Sequence, residues 1–112
     1  MTPSKPLTVI DIKKLSDQAG DDWVNFPLTE NNDHIVRVSV LSRDFHWHAH
    51  NNSDETFLAL EGELIIDLEE RSLNLTPGQM LTVPKGVRHR TRANGRAVNL
   101  TFEHKDTDVS GD

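Results

Sequence analysis

The sequence predicts an all-β sandwich or barrel, and three observations carry that expectation. Val36, Val38 and Val40 alternate with Arg37 and Ser39, the period-two pattern of a strand with one buried face. Short apolar runs then recur down the chain, each bounded by Gly, Pro or Asn. Even spacing with turn punctuation is the pattern of antiparallel sandwiches and barrels. At 112 residues the chain has the length of one domain with one core.

The N-terminal 34 residues are mixed. Residues 7–12 alternate weakly, as a strand would, while 11–19 read as a short helix stopped at Gly20. Residues 21–23 and 29–34 are rich in turn-forming side chains and read as loops. Strand character begins at Ile35. Two apolar-rich runs, 57–60 and 63–68, meet at Gly62, and strands are expected at 72–75, 80–83, 87–91 and 97–102. Residues 1–34 are therefore expected to pack on a barrel built from 35–103. The tail 104–112, whose one apolar residue is Val109, is expected to fray. No repeat, low-complexity tract or linker divides the chain.

Composition removes several chemistries. The formal charge is −6, with 35% hydrophobic and 27% charged residues, too balanced for wholesale disorder. No run approaches the ~18 consecutive apolar residues of a membrane helix. The start of the chain lacks a secretory h-region, so a cytoplasmic protein with no membrane partner is expected. Cysteine is absent, which excludes disulfides, thiolate nucleophiles and zinc-thiolate sites. Tyrosine is absent too, so no phenol can act as acid or base. The side chains left for metal or proton chemistry are His, Asp and Glu, and there are 6 histidines.

Their placement is informative. In Phe45-His46-Trp47-His48-Ala49-His50, an extended strand would set the three histidines on one face and Phe45, Trp47 and Ala49 on the other. Imidazoles at i and i+2 sit close enough to share one ion. Asn51 to Asp54 supply turn residues, so a hairpin would return Glu55 opposite the histidines. Neutral imidazoles with a carboxylate suit divalent transition metals such as Fe, Mn, Co, Ni, Cu or Zn. Solvated histidines on an exposed strand are the bland alternative, which three on one face followed by Glu55 outweigh. A second segment, from Gly78 through Pro84 and Gly86, opens a strand on His89. Spacing alone leaves open whether His89 joins the first cluster.

These two segments resemble the motifs of the cupin superfamily. Its first motif, Gly-x5-His-x-His-x3-4-Glu-x6-Gly, is matched by His48, His50, Glu55 and Gly62. Its second, Gly-x5-Pro-x-Gly-x2-His-x3-Asn, is matched by Gly78, Pro84, Gly86 and His89. Ser42 replaces the leading Gly and Ala93 the closing Asn, neither of them a ligand position in the family. The resemblance implies a double-stranded β-helix, or jelly-roll, barrel holding one divalent metal through His48, His50, Glu55 and His89. It also implies a homodimer. A family this broad fixes fold better than reaction.

Around that set, His46 reads as second shell or barrel-mouth lining, and Phe57 as pocket lining or core. His34 and His104 fall in loop and tail contexts. Lys85, Arg88, Arg90, Arg92 and Arg96 form a basic segment without an intervening acid. Arg88, Arg90 and Arg92 then read either as a solvated or dimer-contacting face or as an anion-attracting rim. Nucleic acid is not expected, because the protein is acidic and lacks interleaved stacking aromatics there. Two classes of function stay open. One is a metal-dependent enzyme, dioxygenase-like or isomerase-like, acting on a small molecule. The other is a non-catalytic barrel that holds a metal and a small ligand for sensing or storage. No catalytic residue beyond the ligand set is assignable from sequence.

Overall fold

A computed structural model describes residues 2–20 and 23–111; Asp21 and Asp22, expected in a loop, lie outside them. Among the described residues one short helix, α1 (Ile12–Gln18), precedes eight strands: β1 (Val24–Asn31), β2 (His34–Leu41), β3 (Glu55–Glu61), β4 (Leu64–Asp67), β5 (Ser72–Leu75), β6 (Met80–Val83), β7 (Arg90–Ala93) and β8 (Ala97–His104). They form a five-stranded sheet in the order β1-β2-β8-β3-β6 and a three-stranded sheet β5-β4-β7. Every pairing is antiparallel, so the all-β expectation holds.

Period-two alternation gives the larger sheet two unlike faces. Along β8, Val98, Leu100 and Phe102 point one way, joining Val38, Val40, Phe26 and Leu28 in an apolar cluster. Helix α1 covers that face with Ile12 and Leu15. The helix starts where Asp11 accepts a bond from the Lys14 amide at 3.0 Å, an N-cap that satisfies an otherwise orphaned donor. The weak alternation of 7–12 therefore ends in a helix rather than a strand. The opposite face looks into the barrel. There Leu41, Ala97, Ala59 and Phe57 meet Leu64 and Ile66 of β4, with Leu75 and Val83, in a second core.

Three expectations about local structure are corrected. Residues 29–34 are not a loop but the end of a hairpin, with Asn31 paired to His34 and Asn32 in the left-handed region at φ 55°. Asn tolerates that conformation, so the turn residues close two strands tightly. β1 escaped notice because Pro27 interrupts it, yet β1 is an edge strand, where a missing donor does little harm. Residues 45–50 are not a regular strand. Their ladder to 86–91 is reduced to a single bridge, His48 with His89, flanked by bonds from Phe45 N to Thr91 O and from Gly86 N to His50 O. Regular pairing then starts only at Arg90, because residues 84–87 form a turn with Val87 N bonded to Pro84 O.

The tail also departs from expectation. Thr107 is buried, and the Lys105 amide bonds Asp33 O at 2.9 Å. Ser110 O accepts from His46 Nε2 at 2.7 Å. A Cβ on Gly111 would lie 2.5 Å from the His48 Cβ, so the chain end packs directly on the histidine segment. Gly62, in the first motif, turns between β3 and β4 at φ 70°, where a Cβ would stand 2.1 Å from Arg96 O. No described helix is long and apolar enough to cross a membrane.

Candidate metal centre

Four side chains converge inside the barrel from three places in the chain. His48 and His50 come from the irregular segment, Glu55 from the first residue of β3, and His89 from the residue before β7. Backbone bonds tie these places together. His48 and His89 exchange N–H···O bonds at 2.9 and 2.8 Å, and the Lys85 amide donates to Asp54 Oδ1 at 2.9 Å. Glu55 therefore reaches the histidines through barrel closure and not through a hairpin with residues 45–50. One potential ligand atom from each residue lies within 4.8 Å of the other three. Atoms each ~2.1 Å from a common ion can be no more than ~4.2 Å apart, so a contraction of a few tenths of an ångström suffices.

Hydrogen bonds choose which nitrogens face inward. His48 Nδ1 lies 2.9 Å from His46 O, and His89 Nδ1 lies 2.9 Å from Val87 O. A carbonyl can only accept, so each ring donates from Nδ1 and turns its Nε2 lone pair into the barrel. His89 Nε2 and His50 Nε2 then stand 3.3 and 3.2 Å from Glu55 Oε1. A neutral His89 would set a lone pair against a carboxylate oxygen in a buried place. That pairing is relieved by a cation shared between them, so the residues present fit a metal. Burial, reinforced by the neighbouring His89 and His50, pushes His48 down to about 4, keeping it in the neutral form a metal needs. Burial alone raises the Glu55 carboxyl, whereas a proton on His50 or His89 outweighs that and draws the group below its ordinary range, as a bound cation in the same place would.

A pocket opens onto His48 and Glu55. It contains about 360 Å3 of empty space, counting its open mouth. Trp23, stacked on Phe45 at 5.0 Å, forms one apolar side, with Phe57 and Val109 completing it. Asn25, Ser39, Asn99 and Thr101 form a polar wall. Phe57 lies both in this lining and in the inner apolar core. His46 is exposed and bonded to the tail; its ring sits 5.3 Å from that of His48, outside the four-donor group. His34 and His104 pair across β2 and β8, away from the centre.

The arginines do not rim this pocket. Arg90 and Arg92 donate to Asp67 at 2.8 and 2.7 Å on the outer side of the small sheet, Arg92 with a second bond at 3.1 Å. The Arg92 bond, with those from Ser72 and Arg90, outweighs burial and holds the Asp67 carboxyl far below its ordinary value. Arg88 and Arg90 lie over the Trp47 ring at 5.0 and 5.4 Å. Register explains the placement: Asp67 pairs with Arg90 and Ile65 with Arg92, while Ile66 and Thr91 face inward.

Beneath Glu55 lies a group that sequence reasoning missed. Glu103 is 1% exposed, with Arg37 Nε 3.6 Å from its Oε1. Burial, then the charge of Glu55, pushes its carboxyl up to about 8. The alternation of Asn99, Thr101 and Glu103 in the last strand was the available signal.

The Cupin domain family matches residues 35–102. The chain belongs to the cupin family. A cupin-2 domain protein from Shewanella frigidimarina shares the fold at TM-score 0.82 and 28% identity, over 87% of this chain and 95% of that one. Protein NMB1881 from Neisseria meningitidis follows at TM-score 0.77 and 25% identity, over 88% and 100% of the two chains. The uncharacterized protein YdbB of Bacillus subtilis is 41% identical to this cupin over 96 residues, 85% of each chain. The paired sheets of this cupin are accordingly those of a double-stranded β-helix.

Proposed function

We propose that this cupin binds one divalent transition metal through His48, His50, Glu55 and His89 and uses it on a small molecule held in the adjoining pocket. The observation that carries the reading is the inward aim of the His48 and His89 lone pairs beside a buried carboxylate. Three neutral imidazoles and one carboxylate leave a divalent ion with net charge +1, which favours an anionic oxygen on the ligand. A bound metal would supply Lewis acidity, and Fe, Mn, Ni or Cu would add redox chemistry of the dioxygenase-like kind, where Zn would favour isomerase-like chemistry. The chain's own part is to orient the donors, keep His48 neutral and shut water out behind Trp23 and Phe45.

One observation favours the second reading, a binding or sensing module without turnover. Among the described residues, His48 and Glu55 are the only ionisable groups that line the pocket, so no separate acid or base stands ready there. Elemental analysis of protein purified without an affinity tag tests the metal, with about one transition metal per chain expected and its loss in a His48→Ala, His50→Ala double variant. Full retention of metal by that variant would overturn the four-ligand assignment. Oxygen uptake or substrate loss across hydroxy acids and diketones then separates turnover from binding.

A further inference from the structure

The polar wall of the pocket holds groups that the protein itself does not satisfy. Asn25, Ser39 and Asn99 form one cross-strand row over β1, β2 and β8, and Thr101 follows two residues along β8. Asn99 is 1% and Thr101 3% exposed, and both line the pocket. Asn25 Oδ1, Asn99 Oδ1 and Thr101 Oγ1 are buried without a hydrogen-bond partner. Buried polar atoms left unmade are costly, so three on one wall of a cavity need a reason. None of them belongs to the four-donor group.

We propose that this wall reads hydroxyl groups, so that the pocket takes a compact polyhydroxylated carboxylate rather than a phosphorylated or purely apolar one. The inference rests on the reading of the pocket as a small-molecule site and names the class of its ligand. Amide oxygens accept, and a threonine hydroxyl both accepts and donates. A ligand hydroxyl satisfies either kind, whereas a carboxylate or phosphate can only accept and would leave both amide oxygens unpaired. No Lys or Arg lines the pocket among the described residues, so nothing there pairs with a phosphate. The ligand's single anionic end is left to the four-donor group. The pocket's inner room accepts about two or three waters, which suits a short chain carrying one or two hydroxyls.

Titration calorimetry on the metal-loaded protein tests this with D-glycerate, propionate and 3-phosphoglycerate as probes. D-glycerate should bind about tenfold tighter than propionate, which lacks its hydroxyls, and 3-phosphoglycerate no tighter than D-glycerate. In Thr101→Val and Asn99→Leu the preference for D-glycerate over propionate should fall to about threefold or less, with metal content unchanged. Thr101→Val should also raise the Tm of the ligand-free protein by about 4 °C, since it removes an unsatisfied buried hydroxyl. Equal affinity for D-glycerate and propionate, no binding of D-glycerate at millimolar concentration, or a preference intact in both variants would each overturn the proposal. Metal content separates this result from the earlier reading: a hydroxyl preference in protein that takes up no metal would sink the metal assignment and keep the wall.

Discussion

The two ends of the barrel interior are built by the same strands and serve opposite purposes. At one end Leu41, Ala59 and Ala97 face Leu64 and Ile66, all nearly or wholly buried and apolar. Further along the same inner face β8 presents Asn99, Thr101 and Glu103, and β2 presents Ser39 and Arg37. The first end is a packed core that favours folding. The second gathers buried polar groups that cost stability unless something is bound there. One strand, β8, runs through both, so its alternation provides a scaffold and a site at once.

The largest effects should divide along that line. The His48→Ala, His50→Ala variant should lose nearly all bound metal, to below about one tenth per chain, yet melt within a few degrees of the metal-free wild type. Ile66→Ala should do the reverse, costing about 2–5 kcal/mol through the cavity it leaves while retaining metal in the folded fraction. Denaturant melts paired with elemental analysis check both. A metal loss in Ile66→Ala that matches its loss of stability at low temperature would break the separation.

Glu103 supplies a pH signature of the polar end. Its folded carboxyl is raised to about 8, so the folded state keeps a proton that the unfolded chain has released above pH ~4. Its contribution to the stability of the metal-free protein, read as the difference between wild type and Glu103→Gln, should therefore fall by about 1–3 kcal/mol as pH rises from 5 to 8. His48, which folding keeps neutral, adds an opposite trend below about pH 6.5. A difference between the two proteins that stays constant with pH would remove Glu103 as the source.

Outside the barrel the smallest effect is expected at the Asp67 clamp. Its carboxyl is held low by Arg92, Ser72 and Arg90, so its contribution is present above the unfolded value near 4 and disappears on acidification below it. Asp67→Asn should cost about 1–2 kcal/mol at pH 7 and less at pH 3, without touching metal content. Any loss of metal in this variant would mean that the outer arginines help to position His89.

Much of this arrangement was legible in the chain. Residues 72–75 and 80–83 form the strands that their Gly- and Pro-bounded apolar runs imply. His48, His50, Glu55 and His89 were brought out by motif spacing, and they do converge. Other features were hidden for physical reasons. Pro27 masked β1, since a missing donor argues against a strand until the strand is known to be an edge. The basic segment at 85–96 gave no sign of Asp67, whose pairing with Arg90 and Arg92 spans more than twenty residues. The tail's contact with His46 crosses 64 positions.

By itself the sequence determined the β class and most strand positions, because alternation and punctuation are local, and its resemblance to the cupin motifs named the four candidate donors. Only the tertiary structure decided which face of β8 looks inward. Polar residues at alternate positions ordinarily face water, and Asn99, Thr101 and Glu103 would be read that way from the chain alone. Here α1 covers the apolar face and the small sheet closes over the other, so the polar face is the one that lines the lumen. Burial of a face depends on what packs against it, and in this cupin those covering elements come from distant parts of the chain.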